Sequence, residues 1–384
     1  MPRFAPRTSR IVRAAALISG MMALLALPAT PHAAAQAQGT SPDSFVVQRV
    51  ANGVYAFVRR EPPAMALNSN SVAIVTDSDV IVVDAEFTAA AARGVIAALR
   101  RITSKPVTYV VNTHWHDDHT AGDRAYLDAF PGVHVIAQRN TANAMRTIAV
   151  ANRKVQLEQG PAAVARIRHL VDVDSTVAGG RLSAPERASY LTTIALFDEY
   201  VHEAPTFRAV FPDITFDDTL TLSRTFAGRA RTIELHYYGR GNTDGDAVVF
   251  LPRERVLVAG DLVVAPVPLC FNSHPREWIA VLNRLLALRP AVIVPGHGPV
   301  MTDVTYTTRV RDLLVAAVAS ADSARARGLT LPQTRAAVQL APFRARFAGS
   351  DPLVNALWSS WTLQPLLTAA YADTLPLARP TGRR

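Results

Sequence analysis

The sequence predicts an α/β protein carrying helical additions. Three observations support this: strand-like runs rich in β-branched residues fill residues 45–136, a second strand-rich stretch follows from about residue 220, and helix-periodic sequence separates them. The 384-residue chain is 49% hydrophobic and 18% charged, which excludes a disordered polyelectrolyte, a collagen-like fibre and a coiled coil.

In the first half the runs are Phe45 to Val50, Val54 to Val58, Ser71 to Thr76, Val80 to Asp84, Val107 to Asn112 and Val133 to Ala137, with an Ala-rich helix from Thr88 to Arg100. Residues 138–210 carry helical periodicity and a break at Gly179-Gly180, and read as a helical insertion. The second half contributes Leu220 to Leu222, Thr232 to Tyr238, Ala247 to Leu251 and Val256 to Ala259. A helix around Glu277 to Leu288 then leads to the run Ala291 to Val294. The main unit spans 45–305, and 306–377 is a helical C-terminal extension whose Trp358 and Trp361 are expected to pack on the core.

Residues 1–35 read as a cleaved signal peptide. Arg3, Arg7, Arg10 and Arg13 precede an apolar stretch from Ala14 to Ala29, and Ala33-Ala34-Ala35 or Ala35-Gln36-Ala37 offers a small-residue cleavage site. The stretch contains Pro28 and falls short of the roughly 20 residues of a membrane span. The expectation is a periplasmic or secreted protein with no stable membrane insertion after cleavage. Removing the four leader arginines takes the formal charge from +9 to +5. The remaining Lys and Arg are scattered rather than clustered with aromatics, which argues against a nucleic-acid partner. A lone cysteine, Cys270, cannot form an internal disulfide and reads as a small buried hydrophobe.

The chemistry gathers at strand ends. Val107 to Asn112 runs into Thr113-His114-Trp115-His116-Asp117-Asp118-His119, a density of imidazoles and carboxylates that is costly to bury as mere structure. His114 and His116, two apart, can hold one metal ion, and Asp118 and His119 a second. Mixed nitrogen and oxygen donors in an open site suit zinc, one or two ions, with iron or manganese as alternatives.

His-x-His-x-Asp-His after an apolar strand resembles the metallo-β-lactamase superfamily. Asn52 to Phe57, Asn68 to Ser71 and Val80 to Ala85 are similar to that family's opening strands, Val258-Ala259-Gly260-Asp261 to its strand ending in a bridging aspartate, and Val294 to Gly298 to the turn carrying its last metal histidine. The resemblance implies a four-layer αββα sandwich with metals at the strand ends. It further implies a second site of Asp118, His119, bridging Asp261 and His297, and a first site of His114, His116 and Asp261. Where the family places a further histidine, Gly239 to Asp246 has Asn242, either a weak neutral ligand or a residue that holds the turn. His236, six residues earlier, could substitute or simply sit on a strand. Asp84 is a candidate partner of a metal histidine; Arg240, Tyr237 and Tyr238 flank the metal turn and could contact a substrate anion.

The resemblance implies a zinc-dependent hydrolase that uses metal-activated water, but not which bond is cleaved; the partly apolar insertion and Pro266 to Phe271 point to a small acyl-type substrate: ester, lactone, lactam or thioester. Asp118 is the expected catalytic residue, orienting the water or shuttling its proton. The insertion and the segment Pro266 to Phe271 are expected to wall the pocket. An iron-dependent oxidoreductase of the same fold and a ligand-binding pseudoenzyme are the alternatives. The C-terminal tail could cap the core or form a homodimer face.

Overall fold

The computed structural model describes residues 45–60, 62, 67–177 and 179–373. The expected signal peptide and the end of the C-terminal tail lie outside them. Seven strands form one sheet in sequence order: β1 (Phe45–Ala51), β2 (Val54–Arg59), β3 (Ser71–Val75), β4 (Val80–Val83), β5 (Val107–Asn112), β6 (His134–Gln138) and β7 (Ile214–Phe216). The first four pair antiparallel, and β4 to β7 run parallel. The second sheet has the order β12-β11-β10-β9-β8, with β8 (Thr219–Phe226), β9 (Arg229–Tyr237), β10 (Ala247–Leu251), β11 (Val256–Val264) and β12 (Val292–His297). Only β11 and β12 are parallel there, and the helix α7 (Pro275–Ala287) makes that crossover.

The two sheets meet face to face. Val54, Val72, Ile74, Ile81, Val83, Val111 and Ile136 of the first pack against Leu235, Val249, Leu251, Val256, Val258 and Val294 of the second. On the outer face of the first sheet lie α1 (Ala89–Ile102) and α3 (Asp123–Ala129), while the single turn α2 (Asp117–Thr120) follows β5. Helix α1 starts where the Thr88 side chain accepts from Ala91 N, and its buried Ala92, Val95, Ile96 and Leu99 repeat at helical spacing against Phe57, Val80 and Val82. On the outer face of the second sheet, α7 and α8 (Thr305–Ala326) cover Val248, Leu257 and Val263. The four-layer αββα order is therefore the observed one.

Between β6 and β7 run α4 (Arg139–Ala144), a π turn (Met145–Ala149), α5 (Val150–Asp172) and α6 (Ala184–Glu203). A Ser183–Glu186 capping box starts α6. Helices α5 and α6 touch closely at Gly160, where a Cβ would lie 1.9 Å from Phe197 Cζ. Beyond α8 come α9 (Leu331–Ala337), α10 (Ala341–Phe347), α11 (Pro352–Leu357), a π turn (Trp358–Leu363) and α12 (Gln364–Ala372). Trp358 and Trp361 are buried in the core of the second sheet. Among the described residues, no helix is long and apolar enough to cross a membrane.

Candidate metal centre

Both sheets deliver side chains to one end of the sandwich. The first sheet supplies the turn that follows β5 and runs into α2: His114, His116, Asp118 and His119. The second supplies Asp261 from within β11 and His297 at the end of β12. Two backbone features let them converge. Gly260 has φ +51 and its position lies against Thr113 Oγ1, while a Cβ on Gly296 would sit 2.0 Å from Asp261 Oδ1, so glycine is required where β12 passes the carboxylate.

Asp118, His119, Asp261 and His297 each present a ligand atom, all within 4.8 Å of one another, and His114, His116 and Asp261 do the same beside them. In the first group His119 Nε2 lies 3.3 Å from His297 Nε2, 3.3 Å from Asp261 Oδ1 and 3.4 Å from Asp118 Oδ2; His297 Nε2 is 3.0 Å from Asp118 Oδ2. Donors about 2.0–2.1 Å from a tetrahedral ion are separated from each other by roughly 3.3 Å. The spacing is thus that of a coordination shell. In the second group His114 Nε2 is 2.9 Å from His116 Nδ1 and 3.6 Å from Asp261 Oδ2.

Each imidazole is turned by a partner on its other nitrogen. His119 Nδ1 donates to Asp84 Oδ2 at 2.8 Å and His297 Nδ1 to the Asn68 carbonyl at 3.1 Å. His114 Nδ1 lies 3.1 Å from Thr113 Oγ1, whose own proton goes to Asp84 Oδ2 at 2.8 Å. His116 Nε2 faces Asn272 Oδ1 at 3.4 Å. These bonds assign the tautomers, leaving a lone pair of every histidine aimed inward. Asp84 also accepts from Thr113 N and adopts φ 60, a left-handed conformation stabilised by three hydrogen bonds to its carboxylate.

Electrostatics sharpen the picture. Burial pushes the pKa of His114 and His116 down, the former strongly. Burial would also lower those of His119 and His297, but Asp84, Asp118 and Asp261 around the first, and Asp261 and Asp118 around the second, raise both. Burial opposes ionisation of Asp118 and Asp261, yet the facing histidines hold both carboxyls below the usual range. Neither oxygen of the buried Asp261 has a hydrogen-bond partner, and its nearest charged or ionisable neighbours are His114, His119 and His297 at 3.3–3.6 Å. Buried carboxylates and converging imidazole lone pairs are a donor set suited to a divalent cation.

Asn242 is 1% exposed and neither amide atom finds a hydrogen-bond partner. The turn is held instead by Asp246, whose Oδ2 accepts from Thr243 N at 2.6 Å. His236 stays on β9, bonded to Glu234 at 2.9 Å and stacked on Tyr238. Arg240 is paired with Glu277, and the Tyr237 hydroxyl donates to the Asp244 carbonyl. Cys270 is buried with its thiol pKa raised by desolvation. Sequence reasoning did not single out Thr113, Asn272 or Asp117, whose partners come from distant segments.

The family model described as the metallo-beta-lactamase superfamily matches residues 64–297. The chain belongs to the metallo-beta-lactamase superfamily. Among curated members, a linear primary-alkylsulfatase of Pseudomonas sp. is 28% identical over 57% of this chain and 39% of its own length. A hydroxyacylglutathione hydrolase of Gloeobacter violaceus is 39% identical over 18% of this chain and 26% of its own. The chain thus spans well under half of these relatives. A solved metallo-beta-lactamase from Pontibacter korlensis is 19% identical over 71% of this chain and 99% of its own, with a TM-score of 0.48.

Proposed function

We propose that this superfamily member is a metal-dependent hydrolase with two adjacent zinc positions. Asp118, His119, Asp261 and His297 hold one, and His114, His116, Asp261 and Asn242 the other. The observation that carries the reading is the convergence of inward lone pairs on an Asp261 carboxylate that has no hydrogen-bond partner. Asn242 joins the second set because its amide oxygen is buried without any partner. A divalent ion bound there supplies Lewis acidity to water and to the electrophile. The chain's own groups do the rest. Asp118 is the partly exposed member of the cluster and takes the proton of the attacking water. Asp84 keeps His119 and, through Thr113, His114 in the binding tautomer.

The substrate proposed is a small acyl-type ester, lactone, lactam or thioester. Arg153 and Arg240, which flank the cluster, are each committed to a carboxylate, and this favours a substrate of low charge. A second reading, cleavage of a sulfate ester, is favoured by the alkylsulfatase relative. Export behind a cleaved leader to the periplasm or beyond, and a homodimer, complete the proposal; N-terminal sequencing and ultracentrifugation of the expressed protein test them.

The deciding experiment is metal content by mass spectrometry beside a hydrolysis panel of thioester, lactone, β-lactam and primary alkyl sulfate. Two zinc ions with turnover of an acyl substrate is the expected result. Turnover of the alkyl sulfate alone replaces the acyl reading, and a protein with neither metal nor turnover overturns the hydrolase.

A further inference from the structure

Helix α2 is a single turn of four residues, Asp117 to Thr120, and its cap residue His116 makes no side-chain capping bond; isolated helices this short are unstable. Yet His116, Asp118 and His119 must keep fixed directions there. The Thr120 hydroxyl donates to the His116 carbonyl at 3.1 Å, and Ala85 N donates to the His119 carbonyl at 2.8 Å. A further restraint reaches the turn from the helical insertion, through Asp117, the residue between His116 and Asp118. Asp117 Oδ2 accepts from Tyr200 Oη at 2.8 Å and from Arg153 Nη1 at 3.1 Å. Both donors belong to the helical segment between β6 and β7, Arg153 on α5 and Tyr200 on α6.

Those donors are themselves rigidly seated. The Arg153 guanidinium lies 3.3 Å from the Phe207 ring centroid and 4.3 Å from that of Tyr200. The Tyr200 ring stacks on Phe87 at 4.7 Å and 4°. Its hydroxyl also lies 2.9 Å from Gln156 Oε1. The same α6 reaches the other side of the centre. Glu203 accepts from Ala89 N and Ala90 N at 2.7 and 2.8 Å, and Thr88 donates to Glu199 at 2.8 Å. Phe87 and Thr88 follow Asp84, the carboxylate that orients His119, by three and four residues.

We propose that Tyr200 and Arg153 are positioning residues: through Asp117 the helical insertion sets the directions in which His116 and Asp118 face the two metal positions, and so controls metal affinity rather than only walling the site. The proposal rests on the metal-centre reading above. Outer partners of metal ligands commonly govern affinity by about ten- to a hundredfold.

The test is titration of metal-free full-length protein with cobalt(II), followed by calorimetry and by the visible absorption of the bound ion, for wild type, Tyr200→Phe, Arg153→Met and Val318→Ala. Tyr200→Phe keeps the ring stack and removes only the hydroxyl. Val318→Ala weakens the core under α8, outside the helical insertion. The expected result is a roughly tenfold or greater loss of affinity at one position or both, with altered absorption bands, in Tyr200→Phe and Arg153→Met but not in Val318→Ala. Wild-type affinity and spectrum in the first two variants would overturn the brace and leave the metal centre standing, as would an equal loss in Val318→Ala at matched melting temperature. Failure of wild type to bind cobalt would instead overturn the metal centre itself.

Discussion

Asp84→Asn isolates the contribution of a single proton. In the native arrangement Asp84 Oδ1 accepts from Thr113 N, and Oδ2 accepts from both Thr113 Oγ1 and His119 Nδ1. Asparagine can keep its carbonyl on Thr113 N, but its amide group then replaces Oδ2 and brings two hydrogens toward a ring nitrogen that carries one. His119 relieves the conflict by moving its proton to Nε2, the nitrogen that lies 3.3 Å from both His297 Nε2 and Asp261 Oδ1. A protonated Nε2 has no lone pair to give. Loss of such a partner weakens metal binding by about 10- to 100-fold, or ~1.4–2.7 kcal/mol. Calorimetric titration of metal-free protein with zinc should show this loss at the Asp118–His119–Asp261–His297 position and a smaller one at the His114–His116 position, where Thr113 relays the effect. Wild-type affinity at the first of these, with the variant folded, would refute the tautomer argument.

Other substitutions separate the remaining parts. Asn242→His replaces a neutral amide by imidazole and should tighten the His114–His116 position about tenfold, ~1.4 kcal/mol, read as zinc retained during dialysis. Burial, with Asp261 nearby, pushes the Asp246 carboxyl up to about 6 from an ordinary 3.8, against the opposing hydrogen bonds from Thr243. The folded state therefore binds this proton more tightly than the unfolded one, and the metal-free protein loses stability as pH rises from about 4 to 6, by on the order of 3 kcal/mol. Asp246→Asn should flatten that part of a urea-melt pH series. Gly160→Ala drives a methyl group into Phe197; overpacking of about 1–3 kcal/mol exceeds the helix gain of roughly 1 kcal/mol, so a thermal melt should shift down by a few degrees.

The sheets were legible because their central strands are unbroken β-branched runs. Val80 to Val83 is buried throughout, and Val110, Val111, Ile293 and Val294 are buried likewise, with no competing period. Strand β7 escaped because three residues after Pro212-Asp213 carry too little pattern. Strand β8 is longer than Leu220 to Leu222 because its exposed and half-buried residues alternate, and polar Ser223, Arg224 and Thr225 separate the leucines from Phe226. The clustered ligands were legible for the opposite reason: His114 to His119 lie within one turn, and such a density has few structural explanations. Asp84 could be suspected at the end of its strand. Tyr200 and Arg153 could not, since they lie 83 and 36 residues from Asp117 and carry no local signature. What a residue touches across the fold is set by packing, which sequence spacing does not encode.

His119 and His297 are 178 residues apart, yet their nitrogens lie 3.3 Å from each other. Neither sheet alone owns a complete shell: the stretch through β7 lacks Asp261 and His297, and the stretch from β8 lacks the histidines after β5. Chelation by the whole set is consequently available only after the sheets have docked and the 178-residue loop between His119 and His297 has closed. Asn70 fastens that docking beside the site, donating from Nδ2 to the carbonyls of Pro295 and Gly298 and from its backbone to Gly296. An ion captured there acts as a latch across the two sheets, stabilising the docked state alone, so that its uptake timed against refolding marks the moment the two halves of the chain become one molecule.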